Sequence, residues 1–176
     1  MKKIHNFNFK IVERNLDNNA LPPDDPLGEL SDFELGLRRF CYEGDRRVVV
    51  EIGEIQLAVF FDPDICILLE DRFPEQIGEL AQGKSIRIDF VESHHLTAIL
   101  TPGGKQIYCQ LKDFDNFHFY EYELEQHQVI AELRRFLVEV MELAVDGGYV
   151  TLEEKSRFIA PAFPEKLTEL TQPLHI

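Results

Sequence analysis

Two Asp-x-Asp pairs, Asp62-Pro63-Asp64 and Asp113-Phe114-Asp115, are the residues of this chain with the plainest chemical capability. Carboxylates two positions apart at a strand end can offer hard oxygen ligands to Mg or Ca. The same residue type also begins turns by accepting local backbone N–H groups. Asp115 is followed by Asn116 and Phe117, without the glycine and bidentate glutamate that a calcium loop needs. Turn formation is therefore the expected role, and no metal is assigned. His118 lies near Asp115 and two residues before Tyr120, a set that could move a proton if a sheet curved around a pocket. The ordinary alternative is a histidine on a strand edge. His94 and His95 are adjacent; on a strand they would point to opposite faces, where they cannot share one ion.

The aromatic run Phe114, Phe117, Phe119, Tyr120 and Tyr122 is the remaining concentration of functional side chains. Alternation would place Phe117 and Phe119 beneath a following helix and turn Tyr120 and Tyr122 outwards, a mixture suited to an interface. Core packing is the commoner use of such residues on strands. Ser85 and Ser93 lie outside any nucleophile-elbow pattern, and the chain has no G-x-G-x-x-G, Walker loop or H-E-x-x-H. No reaction is identified and no cofactor is implied. The candidate binding residues are Asp62, Asp64, Asp113, Asp115, His118, Tyr120 and Tyr122.

Charge narrows the partners. The chain carries 32 Asp and Glu against 18 Lys and Arg, a formal charge of -14. The surplus is concentrated between residues 61 and 128, which hold 13 acidic and 5 basic residues. Phosphate backbones and anionic lipid would meet like-charge repulsion, so nucleic acid and membrane are not expected partners, whereas a basic protein is. Cys41, Cys66 and Cys109 cannot all pair within one chain, and each lies in an apolar stretch. They read as buried free thiols of a cytoplasmic protein. Neither a signal-peptide core nor a run of about eighteen apolar residues is present.

The elements that must position these residues follow from periodicity. At 176 residues and 44% hydrophobic content, one domain over 1–176 with a single core is expected. Phe7, Phe9 and Ile11 alternate as a first strand. Residues 17–30, rich in Asn, Pro, Asp and Gly, read as a long loop. Phe33, Leu35 and Leu37 alternate again and suggest a hairpin with Val48, Val50 and Ile52. At Gly53 and Glu54 the apolar phase slips from even to odd positions, which requires a bulge or tight turn before Ile55, Leu57, Val59 and Phe61. Residues 65–69 fit a short strand or the start of a helix. Residues 74–81 fit a helix stopped by Gly83. Segments 86–90, 96–100 and 107–111 read as an antiparallel meander.

The helix expected over 124–146 is the strongest element, with Val129, Leu133, Phe136, Leu137 and Val140 on one face, Glu139 on the other, and Gly147 and Gly148 ending it in left-handed geometry. Thr151 and Glu154 form a capping-box signal for a last short helix through about Phe158. Residues 161–176, with three prolines, read as an irregular tail. The expected fold is α+β: a curved, mostly antiparallel sheet of about seven or eight strands against one long C-terminal helix plus short helices.

The set Phe33-x-Leu35, Asp62-Pro63-Asp64, Phe90-Val91-Glu92 and Ala131-Glu132-Leu133-Arg134-Arg135-Phe136-Leu137 resembles small acidic bacterial proteins of unknown function, some of them similar to immunity proteins of toxin systems. That resemblance implies a non-catalytic protein that neutralises a basic partner, and it designates no functional residue. The alternative expectation is a small-molecule-binding protein or enzyme whose pocket joins His118, Tyr120 and the two Asp-x-Asp loops. A deep cavity among those groups would favour that alternative, and a flat acidic surface the first reading.

Overall fold

In the computed structural model, which describes residues 5–14 and 25–166, the alternating segments form seven strands in two antiparallel sheets, with helices making the fold α+β. The first sheet has the order β1 (Asn6–Arg14), β2 (Asp45–Gly53), β3 (Ile55–Phe60). The second is a meander of β4 (Ile86–Phe90), β5 (Leu96–Gly103), β6 (Gln106–Asp113) and β7 (His118–Glu125). The expected phase slip is a tight turn: Ile52 pairs with Ile55, so Val48, Val50 and Ile52 share a face with Ile55, Leu57 and Val59. Gly53 takes φ +62° there, as the first position of a two-residue hairpin often requires. A Cβ on it would lie 2.2 Å from the Tyr122 ring, so the same glycine lets β7 lean on the first sheet.

One element differs in kind from expectation. Phe33, Leu35 and Leu37 belong to a helix, α1 (Asp32–Tyr42), rather than to a strand. Ser31 and Glu34 make a reciprocal capping box, and Leu37, Phe40 and Cys41 bury one helical face. Gly36 sits against the next layer, where a Cβ would lie 2.0 Å from the Tyr149 carbonyl oxygen.

A kinked turn at Phe61–Ile65 leads into α2 (Cys66–Glu70), so the 65–69 segment is helical, and α3 (Phe73–Ala81) follows. The longest helix, α4 (Gln126–Asp146), is followed by α5 (Leu152–Ile159) and a 3₁₀ turn, Ala160–Ala162, and so is not the C-terminal element. Of its two terminal glycines only Gly148 is left-handed, at φ +76°; Gly147 keeps right-handed geometry. Thr151 and Glu154 make the capping box that the sequence suggests. Asp25 turns the chain before α1 by accepting the Glu29 N–H. The rest of the long loop, 17–24, and the last part of the tail, 167–176, lie outside the described residues. Among the described residues no helix is long and apolar enough to cross a membrane.

The two sheets and the long helix meet at three rings, where Phe9 of β1 lies 6.4 Å from Phe90 of β4 and 5.2 Å from Phe136 of α4. Leu133, Phe136, Leu137 and Val140 are fully buried on that side of α4. Its polar flank closes the open edge of β1. The Phe9 N–H donates to Glu132 at 2.8 Å, and Arg135 donates to the Phe9 carbonyl while pairing with Glu132 and Glu139. An unpaired strand edge is a template for association; here a charged helical pair satisfies part of it. Cys41, Cys66 and Cys109 are all buried and free.

Candidate functional site at one end of the sheets

The loop between β4 and β5, residues 91–95, is held by one carboxylate from each Asp-x-Asp pair. Asp64, 1% exposed, accepts the Glu92 and Ser93 N–H groups at 3.1 and 2.7 Å. From the other side Asp115 accepts the His95 N–H and pairs with the His95 ring, and the Phe114 N–H donates to the His95 carbonyl. The loop in turn covers the edge of β3: the Phe60 N–H donates to Ser93 Oγ at 3.1 Å, and His94 Nε2 donates to the Ala58 carbonyl at 2.9 Å. Asp64 and Asp115 thus tether a distant loop through its backbone amides, a long-range role that differs from the local turn expected of them. Among the described residues no group of three or more His, Cys, Asp or Glu side chains is arranged to hold a metal ion.

Asp113 builds its own hairpin turn, accepting the Asp115 and Asn116 N–H groups and the Asn116 side-chain amide. The Asn116 amide holds its carboxyl below the usual range. The hydrogen bond from His95 does the same for Asp115, and the reciprocal contact raises the His95 imidazole above its ordinary value. Asp62 does not join this arrangement: it is exposed on the kinked turn, and partial desolvation raises its carboxyl. His95, rather than the neighbouring His118, is therefore the partner of Asp115, and both histidines of the His94-His95 pair lie in the loop, not on a strand. The His95–Asp115 pair is 64% and 55% exposed, and among the described residues no Ser, Thr or Cys side chain is hydrogen-bonded to His95. It orients a loop.

His118 begins β7 opposite Asp113 and stacks on Tyr120, which stacks on Tyr122, at centroid distances of 6.0 and 6.5 Å. Register decides which way the aromatic run faces. Tyr120 and Tyr122 pair with the buried residues Leu111 and Cys109, so both tyrosines turn towards the core. Phe117 and Phe119, 84% and 68% exposed, turn outwards and do not pack under α4, reversing the expected sides. Leu124, buried on the same face as the tyrosines, fixes this phase. A surface depression of about 490 Å³ lies along the β6–β7 edge, lined by Tyr108, Cys109, Gln110, Glu121, Tyr122 and Glu123. It includes neither His118 nor Tyr120 nor an Asp-x-Asp loop.

What distinguishes this end of the molecule is exposed apolar surface. Phe60, Val91, Phe114, Phe117 and Phe119 are all exposed, in or beside the 91–95 and 113–118 turns, which carry Glu92, Asp113 and Asp115; the two rings outside the turns meet cations, Arg47 lying over Phe60 and Lys112 standing opposite Phe119. Phe117 also adopts φ +53°, a region that a bulky side chain occupies only at a cost. Nothing in the one-dimensional pattern marks Phe117; only the hairpin geometry set by Asp113 reveals it. No protein-family model, no curated protein and no solved structure matches this chain.

Proposed function

We propose that this protein is a non-catalytic binding protein, acting in the cytoplasm, that presents the 91–95 and 113–118 turns to a basic protein, in the manner of an immunity protein that neutralises a toxin. The observation that carries the reading is the exposure of Val91, Phe114 and Phe117 within two turns that hold Glu92, Asp113 and Asp115 and, in their own sequence, no Lys or Arg. Apolar rings exclude water at the centre of an interface, while charges of one sign at its rim attract and orient a partner of the other sign. A like-charged surface or nucleic acid would be repelled. Against a pocket shared by these groups stand the burial of Asp64 beneath the loop and the packing of Tyr120 and Tyr122 against the core.

Affinity capture from the source lysate tests this, with wild type and the double variant Glu92→Lys, Asp115→Lys run in parallel at low and physiological salt. A basic protein retained by wild type and depleted by the charge-reversed variant is the expected result. Retention dominated by acidic proteins or nucleic acid, or the same proteins on both baits, would refute the reading.

A further inference from the structure

A second cluster of nucleophilic and titratable side chains lies where α1 packs against α2. Arg38 of α1 donates to Glu70 of α2 at 2.5 Å. On each helix a cysteine shares the face of that ion pair, Cys41 three residues after Arg38 and Cys66 four residues before Glu70. Running past each other in opposite directions from the ion pair, the helices bring the two thiols together one turn further on. Cys66 Sγ donates to Glu70 Oε1 at 3.8 Å, and the Cys41 thiol is hydrogen-bonded to Cys66. Both are free, and they are 1% and 4% exposed, Cys66 being the more accessible. Any small apolar residue would serve the packing at these positions; two thiols in contact add the capacity to form a bond. Cys109 of β6 is also buried and free, but burial alone perturbs its thiol, with no second cysteine beside it.

We infer that Cys41 and Cys66 are a redox pair that closes into an intramolecular disulfide under hydrogen peroxide, reopens with a dithiol, and when closed ties α1 to the turn that carries Asp64. In the first step the Cys66 sulfur attacks one peroxide oxygen. An S–O bond forms, the O–O bond breaks, and the departing hydroxide leaves as water with the Cys66 proton. In the second step the Cys41 sulfur displaces the hydroxyl from Cys66. The S–S bond forms, the S–O bond breaks, and the Cys41 proton leaves with that hydroxyl as a second water. The two thiols together lose two electrons, and one peroxide gains them. Transient disulfides of this kind are the ones a reducing compartment permits. Position gives the bond its consequence. Cys66 lies two residues after Asp64, whose carboxylate holds the Glu92 and Ser93 N–H groups, so closing the pair restrains the 91–95 loop as well. Control of partner binding by this restraint rests on the function proposed above; the bond and the restraint do not.

The test treats the fully reduced chain with hydrogen peroxide, denatures it in iodoacetamide and maps the cysteines by mass spectrometry. The three cysteines alkylated before treatment should fall to one, Cys109, with a linked Cys41–Cys66 peptide two hydrogens lighter than its separate parts, and dithiothreitol should restore all three. Cys41→Ser, shown by circular dichroism to be folded, should instead leave Cys66 as a sulfenic acid that dimedone captures; the wild-type map decides without it if that variant does not fold. In native-state hydrogen exchange the Glu92 and Ser93 amides should exchange more slowly in the oxidised protein than in the reduced. Three cysteines still alkylated after peroxide, a link that includes Cys109 or joins two chains, or a Cys41–Cys66 bond that leaves both amides unchanged would overturn the inference. None of these readouts involves a partner, so their failure leaves the proposed function standing, and capture of no basic protein would sink that function while leaving the disulfide intact.

Discussion

Replacing Phe117 by Asn should make the protein more stable, although it deletes a large apolar side chain. Phe117 holds φ +53°, and left-handed geometry costs an ordinary L-residue about 1–2 kcal/mol, a penalty that Asn largely escapes through its local hydrogen bonding. Against this stands lost burial. With the residue 84% exposed, about one sixth of a phenylalanine's full burial energy of roughly 3 kcal/mol is at stake, about 0.5 kcal/mol. The balance is a gain of about 0.5–1.5 kcal/mol, which for a chain of this size raises Tm by about 2–4 °C for each kcal/mol. Phe117→Ala separates the two terms, since it removes the ring without relieving the backbone and should be neutral or weaker by about 0.5 kcal/mol. Urea melts of the three proteins, with m-values compared to confirm that the unfolded state is unaltered, decide the matter. A destabilisation of Phe117→Asn by more than about 0.5 kcal/mol would refute both the strain argument and the claim that the ring stands free of the core.

Three further outcomes are expected. Leu133→Ala and Phe136→Ala should each cost about 2–5 kcal/mol in denaturant melts, whereas Glu139→Ala on the polar flank of α4 should cost no more than about 0.5 kcal/mol; equal effects would contradict the assigned helix face. The His95–Asp115 pair raises the histidine and lowers the aspartate, so its support of the fold is present at mildly acidic pH and is lost as pH rises through the elevated His95 value; it is also lost in strong acid as Asp115 protonates. His95→Gln should therefore differ most from wild type near pH 5.5 and little near pH 8.5, and NMR should place the His95 midpoint above 6.5 in wild type and lower in Asp115→Asn; an unchanged midpoint would contradict the pair. Burial raises the Cys109 thiol to about 12, and Cys41, hydrogen-bonded to Cys66, is raised as well, so a thiol reagent should count no accessible cysteine in the native protein and three after denaturation.

Where local pattern and tertiary need coincide, the sequence was readable. Val129 through Val140 repeat every three or four residues over a long span, and the helix follows. The reversal of phase at Gly53 can only be a turn, because one residue of slip would carry Leu57 and Val59 to water. Phe33, Leu35 and Leu37 mislead because three alternating positions fit a strand as well as a helix. The decisive signal was four residues wide, Ser31 to Glu34, together with Phe40 and Cys41 one turn beyond Leu37. The site was less legible. Of the four Asp-x-Asp carboxylates only Asp113 accepts from its own turn, and neither periodicity nor composition shows that Asp64 and Asp115 grip the same distant loop. The orientation of the aromatic run depended on which residues of β6 stand opposite, a long-range fact that Leu124 alone hinted at. The strain at Phe117 has no counterpart in residue type.

Recognition of a basic protein by the acidic aromatic end of the sheets would show in the salt dependence of association kinetics with the partner recovered by affinity capture. Exposed charges act over about 8 Å at physiological ionic strength and mainly accelerate encounter, while packed rings set the lifetime of the complex. The on-rate should fall steeply between low and physiological salt with the off-rate nearly constant, and Glu92→Lys/Asp115→Lys should reproduce that fall at low salt. An on-rate indifferent to salt and to those two substitutions would rule out recognition through this acidic end.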